Sequence, residues 1–346
     1  MAQFSRRGFL TGASAVALLA AATACGAKSG DGGSDGSGNA MTFLYSPYAD
    51  YAPFFVAKEK GYFADEGLDV TLTQKPSSGD TVQLLATGAA QAGGISWAAA
   101  LFNQANSDAA SSVKVLSGIS KIGTTGKNPA PFLVRKESGI TDVADLKGKR
   151  VGTLAKGGFG YYSTHLALES AGLSIDDVNL VNVDLSSLPA AFENGGVDAA
   201  WTIEPMSSAL EREGLAVDIL PVTYHAGTEV GALAMSTSFL ENNPDSAVKF
   251  ITAYLRGVQS VENGGWQDPE IQAIISKYTK LSADLIPEIG LSVYDPQGRI
   301  DWDNVTAQEE YSKEIGVLSY KDTGRLEATL FAPEFLPKAV AALPTS

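Results

Sequence analysis

Groups able to do covalent or metal chemistry are scarce in this chain: 346 residues hold one cysteine, Cys25, and two histidines, His165 and His225. One thiol excludes an intrachain disulfide framework and a cysteine-based metal site. Two isolated histidines supply neither a Ser-His-Asp spacing nor a metal-ligand cluster, so no catalytic centre, metal or other cofactor is expected. His165 sits in a helical stretch beside Leu166 and Leu168 and reads as structural; His225 reads as a loop or hinge residue. What remains are groups that bind rather than react: Ser46, Tyr48, Ser96, Trp97, Gly158, Phe159, Tyr161, Asp184 and Glu204.

These candidates stand where strands end. Ser46-Pro47-Tyr48 closes the apolar segment Met41–Ser46, and Ser96-Trp97 closes Ala92–Ser96. Asp184 follows Val178–Val183, and Glu204 follows Ala199–Ile203. Open α/β sheets bind ligands beyond the carboxyl ends of their parallel strands, which puts Ser46 and Tyr48 at a cleft rather than in a plain surface turn. Trp97 reads equally as a platform for a planar solute or as a cap on the core. Glu204 reads equally as the partner of an amine, amidine or aminopyrimidine, or as a helix-start acid favoured by the macrodipole. The run Lys156-Gly157-Gly158-Phe159-Gly160-Tyr161-Tyr162-Ser163 is a glycine-rich strand-to-helix turn, whose bare N–H groups suit an anionic or strongly polar group. It is neither a Walker A loop nor a complete dinucleotide fingerprint.

The elements that must position these residues alternate. Helical spacing over Phe54–Glu66 ends at Gly67, Leu68–Thr73 alternates as a strand, Thr81–Thr87 is a helix stopped by Gly88, and Val113–Ile119 is a strand. After Pro129 and Pro131 the order restarts, with Phe132–Arg135 and Lys149–Leu154 extended, Tyr161–Ser170 helical, and Asp218–Val222 and Gly231–Ser236 extended. Strands separated by helices imply parallel sheet. The restart is visible in residues: Ala64-Asp65-Glu66-Gly67-Leu68 has a counterpart in Glu169-Ser170-Ala171-Gly172-Leu173, and Gly88-Ala89-Ala90-Gln91-Ala92 in Gly195-Gly196-Val197-Asp198-Ala199. Such a repeat argues for two similarly built lobes. The expected division is 41–130 plus 232–346 for one lobe and 131–231 for the other, with crossings near 126–132 and 223–232. Asn243-Pro244 opens a largely helical remainder.

The first forty residues read as an address and a tether. Residues 1–24 combine Arg6-Arg7, a short apolar run and small residues before Cys25, an export signal of twin-arginine type whose apolar core is too short to span a bilayer. Ala22-Thr23-Ala24-Cys25 resembles a bacterial lipobox, with Cys25 as the lipidated first residue of the mature chain. Residues 25–40, rich in Gly and Ser, form a flexible tether with a reach of about 20 Å. With 25 basic against 39 acidic residues, a net charge of −14, no nucleic-acid partner is expected.

The run Tyr51-Ala52-Pro53-Phe54-Phe55-Val56-Ala57-Lys58-Glu59-Lys60-Gly61-Tyr62-Phe63-Ala64-Asp65-Glu66-Gly67 resembles the first helix of ABC-importer solute-binding proteins of the nitrate, sulfonate, taurine and thiamine-pyrimidine-precursor family. Leu146-Lys147-Gly148-Lys149-Arg150-Val151-Gly152, and Gly195 to Ala200 with Glu204-Pro205, resemble the same family, and the similarity spans about residues 41–260. The resemblance implies an α/β periplasmic-binding-protein type II fold, two similar lobes joined by a double-crossover hinge. It further implies a monomeric, membrane-tethered receptor that carries a small solute to an ABC permease and its ATPase. Sulfonate binders of the family commonly carry small hydroxyl residues where this chain has Gly158-Phe159, which weakens a simple sulfonate assignment. A lipid-anchored enzyme of pyrimidine metabolism on the same fold is the alternative.

Overall fold

The computed structural model describes residues 39–75, 77–106 and 112–344. The export signal, Cys25 and all but the last two residues of the tether lie outside these.

Two five-stranded sheets carry the chain. The first contains β1 (Ala40–Tyr45), β2 (Asp69–Gln74), β3 (Ala92–Ser96), β4 (Val113–Lys121) and β10 (Glu229–Ser236), in the order β2-β1-β3-β10-β4. The second contains β5 (Phe132–Arg135), β6 (Arg150–Thr153), β7 (Asn179–Asn182), β8 (Ala199–Trp201) and β9 (Ala216–Asp218), in the order β7-β6-β8-β5-β9. Helices α1 (Ala52–Glu59), α2 (Tyr62–Asp65), α3 (Ser78–Ala86) and α4 (Ala99–Ala105) accompany the first sheet. Helices α5 (Phe159–Glu169), α6 (Leu188–Glu193) and α7 (Met206–Arg212) accompany the second. The chain then continues through α8 (Thr237–Asn242), α9 (Pro244–Glu262), α10 (Pro269–Thr279), α11 (Trp302–Glu314), α12 (Leu326–Leu330) and α13 (Leu336–Ala341).

The two sheets are copies. Exchanging β1, β2, β3, β4 and β10 for β6, β7, β8, β9 and β5 turns one strand order into the other. The register repeats as well: Phe43 pairs with Ala92 and Leu44 with Gly93, while Val151 pairs with Ala199 and Gly152 with Ala200. Ala92 and Ala199, matched in the sequence repeat, therefore occupy equivalent places. The expectation of parallel sheets holds for β1 to β3 and for β6 to β8. It fails for β10 and β5, which run antiparallel to both neighbours. Each enters its sheet directly from a crossing segment, with no helix to reverse its direction. The chain crosses from β4 to β5 and returns from β9 to β10, so two strands of chain join the lobes.

Burial explains why the strands read as apolar runs rather than alternating ones. In β1, Met41, Phe43 and Tyr45 join the core under α1 and α9, and Leu44 joins the core on the opposite face. In β5, Phe132 and Val134 face one core and Leu133 the other. The ring stack Phe43–Phe54–Tyr254, with 4.2 Å between successive centroids, ties β1, α1 and α9 together. Each such buried ring contributes roughly 1.5–3 kcal/mol. Gly257 lets α9 lie on α1, since a Cβ there would sit 2.1 Å from the Pro53 carbonyl oxygen.

Several expected elements differ in extent: α3 begins at Ser78 rather than Thr81, and β10 at Glu229 rather than Gly231. The helix anticipated over Phe54–Glu66 is two helices, because Gly61 adopts φ +78° and stops α1 before α2 restarts. The strand anticipated at Asp218–Val222 ends at Asp218, and Val222–His225 is a single 3-10 turn. Glu204 lies beyond the end of β8 at Trp201 rather than next to it. Asp198, in the Gly-Gly-Val-Asp stretch, is structural: Arg150 donates to it through Nε (3.1 Å) and Nη2 (2.9 Å), stapling the starts of β6 and β8 and holding its carboxyl below the usual range.

Candidate functional site

The carboxyl ends of the parallel strands of both lobes meet. The loop after β1 reaches the loop after β8, where the Ala49 N–H donates to the Glu204 carbonyl at 3.2 Å. The loop after β3 reaches the loop after β6, where the Ala99 N–H donates to the Gly157 carbonyl at 2.9 Å. Under the exchange that relates the two sheets, one contact maps onto the other, so the lobes close on each other in a quasi-symmetric way.

Of the residues singled out in the sequence, Ser46, Tyr48, Asp184 and Glu204 gather at the first contact or beside it, and Ser96 ends the strand that leads to the second. Ser46 is buried, and its hydroxyl donates to the Lys75 carbonyl at 3.4 Å. Tyr48 is half-buried and packs against the cores of both lobes. Burial, with Asp50 and Asp184 nearby, pushes its hydroxyl up to about 12. Exposed Asp184 of the second lobe thus faces Tyr48 of the first. Ser96, at the end of β3, accepts a hydrogen bond at 3.3 Å from Ser78.

Glu204 is 1% exposed and fully engaged. Its Oε2 accepts from the Ser208 N–H (3.2 Å), and Oε1 accepts from the Ser208 hydroxyl (2.9 Å) and from the Gly290 N–H (3.1 Å) of the first lobe. Burial raises its pKa, offset by these donors and by Lys127. It therefore caps α7 and ties the lobes, combining the helix-start reading with a role in closure.

The other aromatic candidates are packed. Trp97 is 1% exposed, in the core that holds Leu44 and Phe102, with Trp302 edge-on at 5.6 Å. Phe159 packs edge-on against Trp201 at 6.0 Å in the core of the second lobe. Gly158 is the N-cap position of α5, and its carbonyl accepts from the N–H groups of Tyr161 and Tyr162, both at 3.1 Å. Tyr161 lies 6.4 Å from Tyr311 of α11. There it belongs to a second interlobe cluster, in which His165 of α5 stacks on Tyr311 with 4.2 Å between rings and 14° between planes.

The two crossings are bonded to each other. The Ile122 N–H donates to the Thr228 carbonyl and the Gly227 N–H to the Ile122 carbonyl, both at 2.9 Å. His225 is buried among them, with Nε2 3.0 Å from Asn128 Oδ1 and Nδ1 2.9 Å from Ser163 Oγ. Asn128 Oδ1 already accepts from the Ala130 N–H at 3.0 Å, so Nε2 carries the proton and Nδ1 accepts from Ser163. Burial holds the ring neutral, with a pKa down at about 3. This places His225 in the hinge. Its partner Asn128, 97 residues away in sequence, had no local signature.

Two further residues went unmarked in the sequence, Gly290 and Asp50, and Gly157 stood out only as part of the glycine-rich run. Asp50 directly follows Ala49, is 6% exposed, and is the one acid between Tyr48 and Ala57. That isolation in an apolar stretch was the available signal.

The profile of the NMT1/THI5 like family matches residues 48–263. The chain belongs to that family. Among curated relatives of this family member, a riboflavin-binding protein of Chloroflexus aurantiacus is 24% identical over 218 residues, 63% of this chain and 60% of that protein. A 4-amino-5-hydroxymethyl-2-methylpyrimidine phosphate synthase of Aspergillus parasiticus is 25% identical over 305 residues, 80% of this chain and 83% of that one. Among solved structures, the periplasmic aliphatic sulphonate binding protein of Escherichia coli superposes with a TM-score of 0.67 at 19% identity, covering 85% of this chain and 97% of that chain. The fold is thus the two-lobed type II arrangement of the periplasmic binding proteins. Among the described residues, no helix is long and apolar enough to cross a membrane.

Proposed function

We propose that the protein is an extracytoplasmic receptor of an ABC importer, tethered by a lipid on Cys25. It captures a small organic solute of the sulfonate, taurine or thiamine-pyrimidine-precursor class between its lobes and delivers it to the permease. The observation that supports this reading best is the pair of contacts Ala49–Glu204 and Ala99–Gly157. Both are made by strand-end loops, both join the lobes, and both would separate if the hinge opened. A site assembled by closure suits capture and release, and ligand sites favour such interdomain crevices.

The test is a melting-temperature panel on the purified protein with taurine, alkanesulfonates, 4-amino-5-hydroxymethyl-2-methylpyrimidine and riboflavin. A ligand that binds only the folded state raises the midpoint by mass action. A panel without any shift overturns the receptor reading. For the anchor, Cys25→Ser should move the protein from the membrane fraction to the medium, and retention in the membrane would count against lipidation.

The kinship with a pyrimidine phosphate synthase favours a second reading, an enzyme on the same scaffold. Turnover of a bound pyrimidine precursor by the isolated protein would support it. Against it stands the engagement of both histidines, one stacked between helices and one locked in the hinge.

A further inference from the structure

Asp50 is a buried carboxylate that the fold leaves half-used; Glu229 Oε2 is unpartnered too, but Glu229 has Lys121 as its counterion at 2.9 Å, and Asp50 has none among the described residues. Its Oδ2 accepts from the Ser120 hydroxyl at the end of β4 at 3.2 Å, and its Oδ1 has no hydrogen-bond partner among the described residues. It adjoins Ala49, the residue whose N–H meets Glu204 across the cleft. The cations at this end of the molecule are committed elsewhere: Lys121 to Glu229 at 2.9 Å, and Lys127 to Glu211 at 2.9 Å.

The groups around Asp50 are hydroxyls and acids. Tyr48 and Tyr51 come from its own loop, Tyr254 from α9 and Tyr294 from the segment before α11, and all four feel its charge. Two of these hydroxyls are already committed. Tyr254 donates to the carbonyls of Gly118 and Ile119, and Tyr294 to that of Ala49. Asp184 faces Tyr48 from the second lobe, and Glu229 and Asp295 face Tyr254 from the far side. Glu229 and Asp295 are balanced by Lys121 and Arg299, both at 2.9 Å, and no cation pairs with Asp50 itself among the described residues. A buried carboxylate without a counterion is costly to keep and is characteristic of functional positions.

Building on the receptor reading, we propose that Asp50 is the specificity carboxylate of the cleft. Its free Oδ1 accepts from a nitrogen donor on the solute (a protonated amine, an amidinium or the amino group of a pyrimidine), so that the protein selects nitrogen-bearing solutes over simple anions. The acceptor that the sequence suggested, Glu204, already accepts three hydrogen bonds, with both oxygens in use, from Ser208 and Gly290. Asp50 has the open valence. Burial pushes its pKa up to about 7 against the Ser120 hydrogen bond, so in mildly acidic solution the free protein carries a proton there that a cationic head would displace.

Matched pairs test this. Taurine is compared with ethanesulfonate, and the aminopyrimidine with its 4-oxo analogue, by calorimetry on wild type and Asp50→Asn. At least one amino member should bind ten times or more tighter than its partner, and Asp50→Asn should abolish that preference. Equal affinity within every pair that binds, or a preference that survives in Asp50→Asn, overturns the proposal. No binding by any member defeats the receptor reading itself, and the proposal with it. Should Asp50→Asn misfold, wild type decides: with a solute whose amine stays protonated, titrations at pH 6 in two buffers of different ionisation enthalpy should show about one proton released per solute. Absence of release overturns the proposal.

Discussion

The Ala49 N–H of the first lobe rests 3.2 Å from the Glu204 carbonyl of the second, and the Glu204 side chain receives the Gly290 N–H of the first lobe at 3.1 Å. One residue thus holds two separate segments of the opposite lobe. Its carboxylate is buried, so the donors that it satisfies are shielded from water when the lobes meet.

Removing that carboxylate should loosen closure. In Glu204→Ala the Gly290 N–H and both Ser208 donors lose their acceptor, and a buried unsatisfied donor costs about 1–3 kcal/mol. A lower melting midpoint is expected, together with a larger radius of gyration by solution scattering. Glu204→Gln keeps an acceptor oxygen and should recover part of both. Equal compactness of Glu204→Ala and wild type would show that this residue does not hold the lobes.

Gly157 should be intolerant for a different reason. Its φ is +85°, and an added Cβ would lie 3.0 Å from both the Ala99 Cβ and the Val317 Cγ2. Ala99 and Val317 belong to the opposite lobe, so the clash exists only when the lobes are together. Gly157→Ala is expected to weaken solute affinity tenfold or more while lowering the midpoint of the free protein only modestly. A purely structural glycine would show the reverse, with a large loss of stability and unchanged affinity.

The strands were largely legible because most are buried on both faces. Ala92–Ser96 and Phe132–Arg135 are readable to the residue, since nothing polar interrupts them before the turn. The direction of β5 and β10 was not legible, because partner choice depends on contacts between distant parts of the chain. The same limit applies at the cleft. The strand-end rule points to Ser46, Tyr48 and Glu204 as loop residues, but the Gly290 donor that engages Glu204 lies 86 residues away. Trp97 illustrates the converse: its position after β3 suggests a binding platform, and the surrounding apolar chain buries it.

Trp97 should accordingly behave as a core residue. Trp97→Ala removes a side chain packed among Phe102 and Trp302, and a stability loss of about 3–5 kcal/mol is expected from such a truncation. The milder Trp97→Phe should stay folded and retain the solute preferences of wild type. A changed preference in Trp97→Phe, at unchanged stability, would place the indole at the solute instead.

The pH dependence of stability should reveal two buried groups pulling in opposite directions. For His225, the pKa falls from 6.5 to about 3 on folding, so between those values the unfolded chain binds a proton that the folded one refuses. Its contribution is complete above 6.5 and is lost as pH drops, by about 1.4 kcal/mol per unit. For Asp50, the pKa rises from 3.8 to about 7, so the folded chain holds a proton that the unfolded one has shed. Its contribution is present below 3.8 and is lost as pH rises toward 7. Between pH 4.5 and 6.5 the two slopes oppose each other, and single substitutions separate them. Relative to wild type, Asp50→Asn should gain stability as pH rises across this window, because the Asp50 loss is gone. His225→Gln should gain relative to wild type as pH falls, because no refused proton remains. Thermal melts of the three proteins at pH 4.5, 5.5 and 6.5 decide the matter. Parallel profiles would mean that neither group titrates differently on folding, and a difference of the opposite sign for either variant would reverse the assignment of its buried state.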